Sequence, residues 1–246
     1  MADTAGERRP PTVALRWPAA VRIVSTQFPP VGLFESVADP RDLEEVVAVA
    51  ALTDPHARDA AGELSLVPLE ERVSGPGSSD AMTPFTHPPP DGGRFNDPGV
   101  GAWYAARDRE TAVAETAFHR ARVLRASGSP TGEVSVRVLV ARVATTVHDV
   151  RGKAEDFPGI DEPGTADYAA ARALARTLRS EDSHGIAYDS VRRPGGECVV
   201  LFSPRHVGLP VVEEAILRYA WNARTQRIES VHEVGSTGPD LPPDSV

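Results

Sequence analysis

The stretch GGRFNDPGVGAWYAARDRETAVAETAFHRARVLR, residues 92–125, decides how the rest of the chain is arranged. It opens as a glycine-rich turn carrying Arg94 and Asn96, becomes a short strand at 102–106, and ends as an amphipathic helix. Asp108 stands where an N-cap belongs and Glu110 falls in the positively polarised first turn. Val113, Ala117, Ala121 and Leu124 recur at helical spacing as a stripe that predicts burial. Another face aligns Thr111, Glu115, His119 and Arg122, so one carboxylate and one imidazole share a polar ridge. A loop, a strand and a helix joined by tight turns can bring Arg94, Tyr104 and Glu115 to one cleft.

Working outward, the 246 residues can bury roughly 70–75% of their unfolded surface, enough for one large domain or two small ones. A hydrophobic fraction of 41% and a charged fraction of 25% are ordinary for a soluble globular protein. No apolar run approaches the ~20 residues of a membrane span, and MADTAGERRPP has no signal-peptide core, so a cytoplasmic protein without membrane contact is expected. The single cysteine, Cys198, cannot form an internal disulfide, which fits a reducing compartment. A formal charge of −9 argues against a broad nucleic-acid surface, which needs clustered cations, but leaves room for a small dianion held by one or two arginines. Lysine occurs once, at Lys153, and arginine supplies the other basic residues, so an arginine by itself says little about phosphate.

Residues 1–12 are polar and proline-bearing and are expected to be disordered, as is the tail at 235–246. Residues 21–24 read as a short strand in which Arg22 is either a snorkelling edge residue or a ligand contact. Asp39 and Pro40 start a helix as N-cap and N1, with Leu43, Val46, Val47 and Ala50 facing the core. The run SGPGSSDAMTPFTHPPPDGG, residues 74–93, is too rich in proline and glycine for a regular element and reads as a flexible loop, either a flap beside the site or a plain insertion; His87 within it has no evident partner. Residues 133–140 alternate with four valines on one face, a strand signal. Residues 165–179 return to helix, with Tyr168, Ala171, Ala175 and Leu178 on one side and Gly185 as a left-handed cap. Short strands are expected at 185–189 and 197–202, and a hairpin at 217–221 and 227–231 around Asn222.

Strands and helices follow one another without a βα repeat, which predicts an α+β fold: a single compact domain over 13–234 with mixed or antiparallel sheets and flanking helices. There is no P-loop, and Gly99-Val100-Gly101 lacks the third glycine and following helix of a dinucleotide fingerprint. Seven scattered histidines and one cysteine show no metal-ligand spacing, so no metal is expected. Ser190 with His184 or His119 is a weak serine-hydrolase candidate, because the residues around Ser190 do not form a nucleophile elbow.

The strings GRFN (93–96), WYAARDRETAVAE (103–115) with His119, and GIAYDSVRRPGGECVVLF (185–202) together resemble the RES domain family. The opening RIVSTQFPPVGLFESVADPRDLEEV (22–46), with ALTDP behind it, resembles the N-terminal part of one RES subgroup, so the likeness spans roughly residues 20 to 222. The resemblance implies an α+β fold similar to ADP-ribosyltransferase toxins and a role as the toxin of a bacterial toxin–antitoxin pair that degrades NAD⁺ by hydrolysis or phosphorolysis. Some relatives ADP-ribosylate a protein, so a protein mono-ADP-ribosyltransferase using the same cleft is the alternative, and a non-catalytic scaffold that binds an antitoxin is the second. Motif by motif, the family's arginine falls on Arg94, its tyrosine on Tyr104, its glutamate on Glu115, its serine on Ser190, and an upstream arginine on Arg22. Phe95 replaces the tryptophan that many members carry. The implied partner is an antitoxin, commonly a helix-turn-helix protein of the Xre type, through which any DNA contact would come; a homodimer or a hetero-oligomer with that antitoxin is compatible.

The chemistry of NAD⁺ cleavage makes sense of this set. The nicotinamide–ribose bond has a cationic leaving group that departs neutral, so no general acid is needed and one carboxylate can stabilise the oxocarbenium-like sugar, unlike the carboxylate pair of ordinary glycosidases. Glu115 takes that role in the expectation. Tyr104 stacks against or orients nicotinamide. Arg94 and Arg22 hold the pyrophosphate by forked hydrogen bonds. Ser190 donates to a phosphate or ribose oxygen, and Asn96 and His119 complete the expected NAD⁺-binding set. Taken singly, Tyr104 reads as a packed strand residue, Ser190 as a turn former and His119 as a helix-surface residue.

Overall fold

The structure, a computed structural model, describes residues 9–26, 32, 34–54, 56–161 and 168–236. Strand β1 (Thr12–Ser25) leads through a 3₁₀ turn at Pro40–Asp42 into helices α1 (Leu43–Ala50), α2 (Ala57–Ala61) and α3 (Ser78–Thr86). Strand β2 (Trp103–Ala106) and helix α4 (Arg109–Ala126) follow, then β3 (Gly132–Asp149), α5 (Ala169–Ser180), β4 (Gly185–Asp189), β5 (Glu197–Leu201), β6 (Gly208–Asn222) and β7 (Arg227–Ser236). The fold is α+β, built on a seven-stranded mixed sheet of order β1-β2-β5-β4-β3-β6-β7.

The sheet bends back on itself. β1 also pairs antiparallel with β3, from Thr12↔His148 to Ser25↔Val136, whereas it meets β2 only at Val21↔Ala106. The parallel contact of β3 with β4 is equally narrow, at His148↔Ile186 and Asp149↔Ala187. Strand alternation sorts the apolar side chains into two layers. One contains Trp103, Leu139, Ala141 and Val199 with Leu43 of α1 and Met82 and Phe85 of α3. The other contains Val136, Val138, Ile186 and Val200 with Ala112 of α4 and Ala171, Ala175 and Leu178 of α5.

Several expectations hold with shifted bounds. Asp39 Oδ1 accepts from Arg41 N at 3.0 Å ahead of α1, and the α5 face of Ala171, Ala175 and Leu178 is buried as its spacing required. The strand seen as eight residues at 133–140 runs for 18, its added half paired with β1 from Thr12↔His148 to Ala20↔Ala141, and β1 likewise extends well beyond 21–24. The hairpin is longer too, its turn fixed by Asn222 Oδ1 accepting from Arg224 N at 2.9 Å. Of the two tails, residues 1–8 and 237–246 lie outside the described residues, as do 165–167 of the expected helix. Residue 12 opens β1, residues 235 and 236 close β7, and Arg9 pairs with Glu181 at 2.7 Å, so those parts of the expected tails are structured.

Two expectations are corrected. The stretch 74–93 is not a loop throughout: nine of its residues form α3, in which Ala81 and Met82 are fully buried and Asp80 pairs bidentately with the buried Arg137 at 3.1 and 2.8 Å. Helix α3 belongs to the Trp103 layer, across the sheet from α4, so it is no flap over a site on α4. Even His87 is partnered, its ring 3.0 Å from Thr86 Oγ1 and 2.7 Å from the Asp59 carbonyl. Gly185 is not a helix cap. α5 ends at Ser180, the left-handed residue is Asp182 (φ 57°), and Gly185 opens β4, where a Cβ would strike the Val200 carbonyl.

Candidate active site

The sheet brings the ends of two strands together. β2 and β4 each pair antiparallel with β5, through Ala106↔Cys198 and Asp189↔Glu197, so both finish at the same end of it. Helix α4 starts just beyond β2 and Ser190 stands just beyond β4. Asp108 caps α4 as predicted, its Oδ1 accepting from Thr111 N at 2.8 Å, worth about 1 kcal/mol. Only Thr111 and Ala112 of α4 are fully buried; the stripe of Val113, Ala117, Ala121 and Leu124 is half-covered. Polar contacts anchor the helix instead: Arg109 to Glu214 (2.6 Å) and Glu233 (2.7 Å), and Thr116 Oγ1 to Tyr219 Oη (2.7 Å).

At this sheet end Ser190 Oγ donates to Glu115 Oε1 at 2.6 Å. The same oxygen accepts from the backbone N–H groups of Arg192 (3.2 Å) and Arg193 (3.1 Å). The Ser190 hydroxyl therefore directs its proton onto the carboxylate. The loop 190–196 is closed by Ser190 N to Gly196 O (2.8 Å) and tied to α4 by Arg193 Nη1 donating to Thr111 Oγ1 at 3.2 Å. Glu115 is half-buried and Ser190 buried.

Arg94 joins this group from the glycine turn. Its guanidinium carbon lies 5.5 Å from the Tyr168 ring centre and 5.9 Å from that of Tyr188 on β4, and its Nη1 donates to the Ile160 carbonyl at 3.1 Å. Glu115 and Arg94 act on the same neighbours. Burial chiefly pushes the Tyr188 phenol and the Cys198 thiol up; Glu115 adds to the rise in both, and Arg94 opposes it. His119, one turn beyond Glu115, is exposed and meets Phe118 edge-on.

The Tyr104 hydroxyl is engaged with the glycine turn. It accepts from Phe95 N at 2.9 Å and donates to Asn96 Oδ1 at 2.7 Å, while Asn96 Nδ2 donates to Val100 O at 2.7 Å. Burial pushes the phenol up, which keeps the proton it donates. Tyr104 and Asn96 together fix the turn that carries Arg94. Gly92 there has φ 68°, and a Cβ on Gly93 would press on the Asn96 side chain and on Tyr104 Oη at 2.8 Å.

Arg22 is not brought to the site. It lies between Val21 and Ile23, which pack in the α4 layer, so alternation turns it to the other face. There it stands 6.0 Å from the Trp103 ring and donates from Nη1 to the Tyr104 carbonyl at 3.0 Å. Burial lowers its pKa to about 10, partly offset by Asp80. The guanidinium of Arg22 therefore lies on the opposite face of the sheet from Glu115.

Sequence reasoning missed Arg192 and the arginines of α5. Arg192 stacks on Phe118 with its guanidinium carbon 3.4 Å from the ring centre. Burial lowers its pKa, an effect that the Glu115 carboxylate opposes and the Arg94 charge reinforces. Arg172, Arg176 and Arg179 recur at helical spacing, a signal visible in the sequence but unremarkable in a chain whose default cation is arginine. Arg172 donates to the carbonyls of Gly93 (2.9 Å) and Asp91 (2.8 Å), Arg176 to Asp97 Oδ1 (2.8 Å), and Arg179 to Gly101 O (3.0 Å). They clamp the glycine turn along its length. Two clefts, of about 460 and 150 Å³, are lined by other residues than Arg94, Glu115 and Ser190. Among the described residues no cluster of three or more His, Cys, Asp or Glu could hold a metal, and no helix is long and apolar enough to cross a membrane.

Comparison with known proteins agrees with the motifs. The chain is 25% identical over 226 residues to a protein of Sinorhizobium fredii (strain NBRC 101917 / NGR234) described as uncharacterized protein y4oC, covering 91% of this chain and 90% of that one. Against the crystal structure of the M. tuberculosis MbcT–MbcA toxin–antitoxin complex the TM-score is 0.44 at 12% identity, over 87% of this chain and 89% of that chain. The RES domain matches residues 69–222, a span that takes in Arg94, Tyr104, Glu115 and Ser190 and leaves out Arg22. Well over half of the chain lies within that match, and the protein belongs to the RES domain family.

Proposed function

We propose that the protein is an NAD⁺-cleaving toxin of a bacterial toxin–antitoxin pair and breaks the nicotinamide–ribose bond at the Glu115–Ser190 site. The observation that carries this reading is the carboxylate of Glu115, half-buried and ordered by the Ser190 hydroxyl at 2.6 Å. A carboxylate fixed in this way faces the positive charge that develops on the ribose as neutral nicotinamide departs, and preorganised electrostatics of this kind contribute ~3–4 kcal/mol. Ser190 is a positioning residue for Glu115, and the pyrophosphate is assigned to Arg94 and Arg192, whose guanidinium forks suit it. The family's biology supplies the wider reading: an antitoxin of helix-turn-helix type restrains a cytoplasmic enzyme that would otherwise exhaust NAD⁺.

Incubating the purified protein with adenylate-labelled NAD⁺, with and without phosphate and with cell lysate, tests the reaction and its acceptor together. Label in free ADP-ribose identifies water, label in ADP-ribose phosphate identifies phosphate, and label on protein identifies a mono-ADP-ribosyltransferase. Intact NAD⁺ in every arm would refute the enzymatic reading and leave a scaffold that binds an antitoxin.

A further inference from the structure

The Ser190 loop is held against helix α4 by more than the bond to Glu115. Gly196 ends that loop, and its carbonyl accepts from Ser190 N at 2.8 Å. Its backbone presses on the first turn of the helix: a Cβ on Gly196 would meet Thr111 Oγ1 at 2.6 Å and Thr111 Cγ2 at 2.8 Å. Gly196 does not have a positive φ, so close approach, and not backbone conformation, is what requires a glycine at this position.

Thr111 is in no position to give way. It is fully buried, and its hydroxyl donates to Asp108 Oδ1 at 2.9 Å and accepts from Arg193 Nη1 at 3.2 Å. Both branches of the side chain face Gly196, so turning χ1 to another staggered position breaks those bonds and still leaves one branch in the way. Glu115 follows Thr111 by one helical turn on the same face of α4. The contacts therefore close a ring: Glu115 to Ser190 at 2.6 Å, Ser190 to Gly196, Gly196 on Thr111, and one turn of α4 back to Glu115.

We propose that Thr111 and Gly196 are positioning residues whose steric fit sets the Ser190 hydroxyl against the Glu115 carboxylate; for catalysis this rests on Glu115 acting on NAD⁺ as proposed above. A methyl group on Gly196 forces the loop away by roughly 0.8 Å, from 2.6 Å to ordinary contact at about 3.4 Å. Ser190 moves with the loop, because its N–H is bonded to the Gly196 carbonyl. A misplacement of about 1 Å in a catalytic site can cost on the order of 10²-fold in rate.

The test measures nicotinamide release by the parent protein, Gly196→Ala, Thr111→Ala and the double variant, each with its unfolding midpoint. Gly196→Ala should lower kcat on the order of 10²-fold and leave KM for NAD⁺ within about twofold. Thr111→Ala, which loses the hydroxyl contacts but opens the space, should lower kcat only several-fold. Adding Gly196→Ala to Thr111→Ala should then cost almost nothing more, since both clashing atoms are gone and only the milder 3.1 Å approach to the Arg193 carbonyl remains. Independent effects on stability would instead add. The amide resonances of Arg192 and Arg193, which donate to Ser190 Oγ at 3.2 and 3.1 Å, follow the hydroxyl without any need for turnover. Gly196→Ala should move them strongly in the parent and little in the Thr111→Ala background. A parent that leaves NAD⁺ intact would refute the reaction, and these resonances would then decide the positioning alone. An equal effect of Gly196→Ala in both backgrounds, or parental kcat with unmoved Arg192 and Arg193 amides in folded Gly196→Ala, would overturn the assignment.

Discussion

Tyr104→Phe separates a residue that handles substrate from one that builds the turn. The substitution keeps the ring and deletes an oxygen that accepts from Phe95 N at 2.9 Å and donates to Asn96 Oδ1 at 2.7 Å. Phe95 and Asn96 are both buried, so the change strands a backbone donor and an amide acceptor away from water. Each orphaned group costs about 1–3 kcal/mol, and with partial relaxation the sum is about 2–4 kcal/mol. Urea unfolding of the two proteins, followed by tryptophan fluorescence, should show a lowered midpoint at unchanged slope. Nicotinamide release should also fall, chiefly through a higher KM for NAD⁺, because Arg94 rides on the loosened turn. Full retention of stability together with loss of turnover would refute this reasoning and return the Tyr104 hydroxyl to the substrate.

Other outcomes follow from neighbouring contacts. Ser190→Ala removes the donor to Glu115 and the acceptor for two backbone N–H groups, and should lower kcat for NAD⁺ cleavage on the order of 10²-fold while the protein stays folded; an unchanged kcat would mean that Ser190 does not order the carboxylate. Arg22→Lys should cost on the order of 1–3 kcal/mol in urea unfolding and leave KM for NAD⁺ alone, whereas a raised KM at full stability would restore Arg22 as a phosphate ligand. His206 has a folded-state pKa lowered from 6.5 to about 4, so the unfolded chain binds more protons between those values. Its contribution to stability is present above pH 6.5 and is lost as pH falls towards 4; His206→Asn should flatten that part of the stability–pH profile, and an unaltered profile would contradict the shift.

Much of the site was legible because its signals are local. The cap at Asp108, the alternation of β3 and the bounds of β4 each depend on a few adjacent residues. Glu115 and Ser190 were recognisable as a pair only through the family motif, and their meeting depends on β2 and β4 both pairing with β5. What stayed hidden depends on long-range packing. Helix α3 contains Pro84 and sits among glycines and prolines, so propensity argues against it; burial of Ala81, Met82 and Phe85 overrides that propensity. Arg22 carries its own clue, since alternation with Val21 and Ile23 sends it to the opposite face, but nothing local says which face holds the site. Tyr104 and Asn96 both figured as ligands, and only the return of the turn onto β2 reveals that they satisfy each other. The half-covered stripe of α4 shows the reverse failure: correct spacing does not guarantee a deep layer to pack against.

The measurement that bears most directly on the central claim is nicotinamide release from NAD⁺ by the purified protein and by its Glu115→Gln variant, each checked for its unfolding midpoint. Glutamine keeps the size of the side chain and an acceptor for the Ser190 hydroxyl, and removes the charge that faces the ribose. The account predicts steady release by the parent protein and a loss on the order of 10²–10³-fold in the variant, with the midpoint close to that of the parent. Release at the parental rate by a folded Glu115→Gln protein would contradict it.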